Sequence, residues 1–191
     1  EFFPPKTDAG VEKLKRVQQE LAAKSPSFFS VTYGAGGSTR DRTFQTVTQV
    51  KQNTGISTAP HLSCVGDSKS QLGEILQQYV SNGIERIVAL RGDLPSGMGA
   101  SIGELKYASD LVAFIREQTG DHFHLEVAAY PEMHPQAKSM NADLDAFRAK
   151  VEAGANSAIT QYFFNIDAYK FFVDSCEKRG LDIPVVPGIM P

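Results

Sequence analysis

Short apolar segments alternate with amphipathic segments along the whole chain, and this alternation limits the possible folds more than any other feature. The segments typical of strands are residues 1–5, 28–33, 57–64, 84–90, 125–130, 158–164 and 183–189. The segments typical of helices are residues 8–24, 38–53, 68–82, 109–118, 143–153 and 167–179. Strands and helices in strict alternation predict a parallel sheet whose neighbouring strands are joined by right-handed helical crossovers.

Two parallel architectures fit this alternation, a doubly wound open sheet and a (β/α)8 barrel. An open sheet of the dinucleotide-binding type carries a GxGxxG turn after its first strand, and the glycine-containing loops 34–38 and 97–103 do not have that spacing. A complete barrel needs about 250 residues and eight repeats. We therefore predict that residues 1–191 form a single but partial TIM-barrel domain, which lacks the start of its first strand and its eighth strand.

The charge and cysteine content exclude several classes of protein. The net charge is −3 and no block of Lys and Arg is present, which argues against a nucleic-acid partner. Cys64 and Cys176 lie far apart and form no CxxC pair, so we expect reduced thiols and a cytoplasmic location. No apolar stretch approaches the roughly 20 residues of a membrane span, and no signal peptide opens the chain.

Reactive side chains follow the carboxyl ends of most predicted strands. The clearest case is the apolar run 84–90, which ends in Arg91, Gly92 and Asp93. In a barrel the carboxyl ends of all strands meet at the face that holds the active site. The residues at these ends are Glu1, Thr32, Tyr33, His61, Arg91, Asp93, Tyr130, Glu132, His134 and Gln161. Glu1 and Asp93 are the candidate acid/base carboxylates of this face.

A metal site is the first alternative interpretation of the same residues. The side chains that are suitable ligands for zinc or iron are those of His61, Asp93, Glu132 and His134. A barrel hydrolase usually offers a His-x-His pair on a strand at the active face. Only His122 and His124 have that spacing, and they precede their strand, at the opposite rim. A metal-dependent TIM-barrel hydrolase is therefore the weaker hypothesis.

The loop after the predicted strand 125–130 favours a cofactor. Aromatic Tyr130, His134 and small Ala137 are followed by Asp143 and Lys150 on the next helix. An aromatic wall with hydrogen-bond donors and a cation suits an adenine dinucleotide better than a small hydrolysable substrate. The residues alone thus indicate a barrel enzyme with a nucleotide-like cofactor.

Seven motifs in this order resemble methylenetetrahydrofolate reductases of the bacterial type. They are Glu-Phe-Phe-Pro-Pro at 1–5, Val-Thr-Tyr-Gly-Ala at 31–35, Ala-Pro-His at 59–61, Ala-Leu-Arg-Gly-Asp-Leu-Pro at 89–95, Tyr-Ala-Ser-Asp at 107–110, Ala-Tyr-Pro-Glu-Met-His-Pro at 129–135 and Thr-Gln-Tyr-Phe-Phe at 160–164. The resemblance runs from the first residue to the last. It implies a (β/α)8 barrel that holds FAD without a Rossmann motif.

The resemblance also implies the residues that bind each ligand. The FAD contacts that it implies are Thr32, Tyr33, Ala35, His61, Arg91, Gly92, Asp93, Ala108, Tyr130, His134, Ala137, Asp143 and Lys150. Folate recognition falls to Asp93 and Gln161. A nicotinamide, NADH or NADPH, stacks on the same flavin face in its turn, and we expect a homo-oligomer.

The implied reaction has two halves. The reduced nicotinamide passes hydride to FAD, and methylenetetrahydrofolate then takes hydride from the reduced flavin to give methyltetrahydrofolate for methionine synthesis. The methylene bridge must first open to an iminium, which needs a proton on the departing nitrogen. Glu1 resembles the family's general acid, and burial against Phe2 and Phe3 would favour its protonated form. Asp93 resembles the carboxylate beside the pyrimidine end of the flavin.

One departure from the family pattern concerns the end of the chain. The family continues past Pro191 into an eighth strand, and an aromatic residue of that later region helps to hold folate and nicotinamide. The second alternative is therefore a non-catalytic barrel that binds flavin without reaction.

Overall fold

Six parallel strands and six helices alternate through the residues that a computed structural model describes, 1–33, 37–93 and 103–190, with the backbone alone at 37–39. The strands are β1 Phe29–Val31, β2 Thr58–Ser63, β3 Arg86–Leu90, β4 His124–Ala129, β5 Ser157–Thr160 and β6 Val185–Val186. The helices are α1 Asp8–Ala22, α2 Gly37–Thr54, α3 Lys69–Ser81, α4 Ala108–Thr119, α5 Met140–Glu152 and α6 Ile166–Glu177. None of the helices in these ranges is long and apolar enough to cross a membrane.

The strands form one sheet in the order β1-β2-β3-β4-β5-β6, and every neighbouring pair is parallel. The sheet curls as half of a barrel, with a helix after each strand from β1 to β5. The predicted partial (β/α)8 barrel is thereby confirmed. Because all strands run the same way, their carboxyl ends lie along one rim.

Both ends of the sheet are shorter than the sequence predicts. At residues 1–5 a single bridge joins Phe2 to Val31, and Pro4 follows closely. The last strand covers two residues rather than 183–189, because Pro184 and Pro187 flank it and proline has no N–H to donate to a ladder. The fifth strand ends at Thr160 instead of continuing to residue 164.

Polar side chains at the helix starts fix where the helices begin. The Ser68 hydroxyl accepts from the Gln71 N–H at 3.3 Å, and the Gln71 side chain accepts from the Ser68 N–H at 2.9 Å. This reciprocal pair is a capping box, which satisfies two backbone donors at the start of α3. Thr7, Ser139 and Asn165 cap α1, α5 and α6 with single side-chain bonds.

The two faces of the sheet differ in polarity. Ile87 and Ala89 of β3 belong to the same buried core as Leu111 and Ile115 of α4. The residues that alternate with Ile87 and Ala89 along β3 point to the opposite face, inside the barrel, because side chains alternate in a strand. There Arg86 pairs with the buried Glu126, and His124 contacts both Glu126 and Ser157. His124 is the first residue of β4 rather than a residue before the strand, and it lies at the rim opposite the strands' carboxyl ends, as predicted.

Candidate functional site

A cavity of about 620 Å³ opens at the carboxyl ends of β3 and β4 and is bounded on one side by α5. Its volume falls within the range of pockets that hold drug-sized ligands, about 300–1,000 Å³. It brings together ten of the residues that the sequence singled out. They are Arg91, Gly92, Asp93, Ala108, Tyr130, His134, Ala137, Asp143, Lys150 and Gln161.

The segment after β3 forms one wall of the cavity. The Arg91 guanidinium donates to the Gln136 side-chain oxygen at 2.8 Å, which ties the end of β3 to the loop after β4. Gly92 follows with φ +88°, a left-handed conformation that favours glycine. The Ser63 hydroxyl donates to the Arg91 carbonyl at 2.8 Å, and a Cβ on Gly92 would overlap that hydroxyl. Asp93 is exposed at the mouth.

The loop after β4 supplies an aromatic pair. The rings of Tyr130 and His134 meet edge to face, with centroids 4.5 Å apart and an interplanar angle of 85°. The backbone N–H of His134 donates to the Asp143 carboxylate at 2.9 Å. The backbone N–H of Gln136 donates to Nδ1 of the His134 ring at 3.1 Å. Because Nδ1 accepts this bond, the neutral ring carries its proton on Nε2. Burial raises the pKa of Tyr130, so its hydroxyl stays protonated.

Lys150 brings a cation into the cavity from α5. Its ammonium donates to the Ala128 carbonyl and lies 5.9 Å from the Tyr130 ring centre. Burial lowers the pKa of Lys150 to about 8, against the opposing effect of Asp143. Within the described ranges, neither Lys150 nor Arg91 forms an ion pair with a carboxylate.

Exposed alanines form the α5 side of the cavity. Ala142, Ala146 and Ala149 line it, while Leu144 and Phe147 of the same helix are buried in the core. Alanine leaves a shallow, flat surface against which a ring system can lie. The sequence analysis missed these three residues, although their spacing, opposite the apolar positions of the helix, was a usable signal.

Tyr33 faces a second cavity instead of the first. This cavity of about 410 Å³ lies beside α2 and α3 and is lined by Tyr33 and Arg40, among others. The Tyr33 hydroxyl donates to the buried Asp67 carboxylate at 3.0 Å, and Arg40 pairs with the same carboxylate. Burial raises the pKa of Tyr33, with Arg40 acting in the opposite direction.

Glu1, Thr32 and His61 lie outside the lining of the first cavity, and Ala35 lies outside the described residues. The Glu1 carboxylate is 3.4 Å from the His61 Nε2. Burial lowers the pKa of His61, and Glu1 opposes that effect. The backbone of Thr32 bonds to Phe2, where the Thr32 N–H donates to the Phe2 carbonyl at 2.9 Å.

The expected burial of Glu1 against Phe2 and Phe3 is wrong for this structure. The Glu1 side chain is 49% exposed. Phe2 turns into the core and packs on Phe29 with ring centroids 5.0 Å apart, whereas Phe3 is 72% exposed. Consecutive residues of an extended segment point to opposite sides, so these two rings cannot both cover the carboxyl group.

The side chains proposed as metal ligands do not assemble. Across residues 1–33, 37–93 and 103–190, no group of three or more His, Cys, Asp or Glu side chains converges closely enough to hold a metal ion. Instead, Glu132 accepts hydrogen bonds from the backbone of the next loop and His61 contacts Glu1. Two cations, the carboxylates of Asp93 and Asp143, an aromatic pair and an alanine surface line the cavity, which suits a flat ligand with both anionic and polar groups.

One family model and several known proteins match the chain over its whole length. The model of a family described as "Methylenetetrahydrofolate reductase" matches residues 1–191. The chain is 49% identical over its whole length to "5,10-methylenetetrahydrofolate reductase" of Pectobacterium carotovorum subsp. carotovorum, and 47% identical to the protein so named in Escherichia coli (strain K12). It spans 62% and 63% of the lengths of these two relatives.

A solved structure bears on the fold alone. An uncharacterized protein from Clostridium thermocellum, described as binding two copies of 5-methyl-5,6,7,8-tetrahydrofolic acid, aligns with a TM-score of 0.60. The alignment covers 97% of this chain and 62% of the other, at 18% identity.

Proposed function

The chain belongs to the methylenetetrahydrofolate reductase family, and from this premise we propose that it reduces 5,10-methylenetetrahydrofolate to 5-methyltetrahydrofolate with bound FAD and with NADH or NADPH as reductant. The cavity at the ends of β3 and β4 is the observation that carries the proposal, because two cations, an aromatic pair and an alanine surface line it. Residues 1–191 would act as one FAD-binding barrel domain, in a cytoplasmic homo-oligomer.

The charges of the cavity support a dinucleotide that carries phosphates. Arg91 and Lys150 would bind the anionic part of the dinucleotide, since both are cations without a carboxylate partner in the described residues. The Lys150 ammonium is partly desolvated, so a bound anion would stabilise its charge strongly.

The walls of the cavity support the flat parts of the same ligand. Tyr130 and His134 supply an aromatic pair, Ala137 adds a small side chain, and Ala142 and Ala146 of α5 leave room beside them. When bound, the flavin supplies the hydride carrier between nicotinamide and folate. The part of the protein is to bind and orient this carrier and to supply protons to the folate.

Glu1 is the proposed proton donor for opening the methylene bridge. A protonated His61 would hold Glu1 as a carboxylate, but burial lowers the pKa of His61, so the ring is neutral near pH 7. The neutral imidazole, 3.4 Å away, therefore adds no positive charge beside the Glu1 carboxyl group.

Asp93 and Gln161 are the proposed folate contacts. Both line the first cavity, Asp93 after β3 and Gln161 after β5, with β4 between these strands. Asp93 offers a carboxylate that can accept bonds from the amino groups of a pterin ring, and Gln161 offers both a donor and an acceptor. Asp93 would also oppose negative charge on the nearby flavin, as its family counterpart does by resemblance.

The test is an absorbance spectrum from 300 to 550 nm of the purified full-length protein, before and after anaerobic NADH. We expect an oxidised-flavin spectrum that bleaches with NADH and recovers with methylenetetrahydrofolate. A protein that binds FAD but is not reduced by NADH or NADPH would be the non-catalytic flavin-binding barrel. A colourless protein that FAD does not reconstitute would overturn the proposal.

A further inference from the structure

The Glu132 carboxylate joins two loops at the active face. One of its oxygens accepts from the backbone N–H of Phe164 at 3.2 Å and from that of Asn165 at 2.9 Å. Asn165 is the N-cap of α6, where its own side chain accepts from the Asp167 N–H at 2.9 Å. Glu132 therefore holds the start of α6 from the neighbouring loop, and its charge suits the positive end of the helix dipole.

A turn at Met133 points the side chains of Glu132 and His134 in different directions. Met133 has φ +70°, a left-handed conformation that is uncommon for a residue with a Cβ, and its N–H donates to the Tyr130 carbonyl at 3.1 Å. On one side of this turn Glu132 reaches the loop after β5. On the other side His134 packs on Tyr130 and bonds to Asp143. Backbone strain of this kind is concentrated at functional sites.

The segment that Glu132 holds begins at the proposed folate residue. Gln161 follows β5 directly, and its N–H donates to the Ala129 carbonyl at 2.8 Å. Its side-chain oxygen accepts from the Tyr162 N–H at 3.2 Å. Only two residues lie between Gln161 and Phe164, whose N–H is the first that Glu132 binds, so the path of residues 161–165 is fixed at both ends.

We propose that Glu132 is a positioning residue, which couples the loop that holds Tyr130 and His134 to the loop that carries Gln161 and so sets the geometry of folate binding. The inference rests on the proposed function, because Gln161 matters only if folate binds there. Glu132 touches neither the reacting atoms nor the cofactor in this role. Its effect is expected on the affinity for folate and not on the reduction of the flavin.

The test compares Glu132→Ala with Glu132→Gln, whose side-chain oxygen can still accept both bonds. We expect Glu132→Ala to raise the KM for methylenetetrahydrofolate about five-fold, the usual loss for a helix cap, with kcat nearly unchanged. The Kd for FAD and the rate of flavin reduction by NADH should stay within about two-fold of wild type. Glu132→Gln should recover most of the lost affinity for folate.

Amide hydrogen exchange supplies a readout that does not depend on activity. In Glu132→Ala the amides of Phe164 and Asn165 should exchange about five-fold faster, and in Glu132→Gln they should stay near wild type. Glu152→Ala is the matched control, an exposed carboxylate on α5 for which the described residues give no side-chain bond. It should change neither the KM nor the exchange at residues 164–165.

Three results would overturn the proposal. One is an unchanged KM for folate in Glu132→Ala together with unchanged amide exchange. Another is an equal loss in FAD affinity, flavin reduction and folate reduction, which would mean that Glu132 only supports the fold. The third is faster exchange without any change in KM. If wild-type protein reduces no folate at all, the proposed function fails, and the exchange result still reports separately on the contact.

Discussion

The Lys150 ammonium lies 5.9 Å from the centre of the Tyr130 ring and donates to the Ala128 carbonyl. These contacts hold a cation near the carboxyl end of β4 without neutralising its charge, because a carbonyl and a ring face carry only partial negative charge. Burial consequently makes the charged form less favourable, and it lowers the pKa of Lys150 to about 8. A site of this kind gains stability from an anionic ligand.

Replacement of Lys150 by Met, an unbranched side chain of similar length without the charge, should weaken FAD binding about tenfold or more. The wild-type affinity should also fall as the pH rises from 7 to 9, since the ammonium loses its proton above about pH 8 in the free protein. In Lys150→Met this pH dependence should disappear. Quenching of FAD fluorescence at pH 7, 8 and 9 measures the FAD affinity of both proteins and its dependence on pH.

Lys138 provides the control for Lys150. It is exposed in the loop that precedes α5 and lies outside the cavity lining. Lys138→Met should leave the FAD affinity and its pH dependence as in wild type. An equal loss in both variants would mean that general positive charge, rather than the buried ammonium, attracts the cofactor.

Replacement of Glu1 by Gln should separate the two half-reactions. The amide cannot donate a proton to the departing nitrogen, so oxidation of the reduced flavin by methylenetetrahydrofolate should slow by about 10²- to 10⁴-fold. Reduction of the flavin by NADH needs no such proton and should change by less than about two-fold. Anaerobic stopped-flow absorbance measures the halves separately.

His61→Asn tests the neighbour of Glu1 at 3.4 Å. Because burial lowers the pKa of His61, its neutral form is already present at pH 7, and Asn should preserve most of the folate half-reaction. A loss as large as that of Glu1→Gln, with the FAD affinity unchanged, would show that His61 itself transfers the proton, and it would contradict the assignment to Glu1.

The repeating parts of the fold were predictable from local sequence. Apolar runs such as 84–90 indicated buried strands, and helix caps such as Ser68 and glycines such as Gly83 placed the ends of helices within a few residues. The chemistry at the ends of β3 and β4 was predictable too, because a parallel barrel places those ends side by side. Local pattern therefore gave the barrel and the polar residues of one rim, whereas Ala108 came only from the family resemblance and the three alanines of α5 were missed.

Side-chain direction and coverage were harder to predict. Thr32 and Tyr33 are consecutive in an extended segment, so they point to opposite sides, and Tyr33 turns to Asp67 rather than to the first cavity. The exposure of Glu1 depends on which distant residues cover it, and sequence adjacency to Phe3 does not decide that. These features depend on contacts between elements that lie far apart in the sequence.

Replacement of Arg116 by Ala should lower the free energy of unfolding by about 2–4 kcal/mol. Its guanidinium donates to the carbonyls of Gly154, Phe123 and Gly120 and to the Asn156 side chain, over 2.6–3.1 Å, and joins the end of α4 to the starts of β4 and β5. Removal would leave partly buried acceptors without a donor. Urea unfolding measures the loss.

Two further variants make the Arg116 prediction specific. Arg116→Lys should recover only part of the stability, because one ammonium cannot reach all the acceptors of the planar guanidinium. Arg148→Ala, on α5, removes an arginine for which the described residues give no side-chain bond, and it should cost less than about 0.5 kcal/mol. Similar losses from Arg148→Ala and Arg116→Ala would contradict the role of this network.

Replacement of Gly92 by Ala should destabilise the wall of the cavity, by about 1–3 kcal/mol, and weaken FAD binding. Alanine would have to adopt the left-handed backbone conformation of Gly92, φ +88°, and its Cβ would overlap the Ser63 hydroxyl. Ser63→Ala removes the overlapping oxygen, so the double variant should recover the steric part and keep the cost of the left-handed backbone. Urea unfolding of the four proteins gives the coupling free energy. If the losses from the two substitutions are strictly additive, the contact with Ser63 is not what requires glycine at position 92. The left-handed backbone conformation would then be the whole reason.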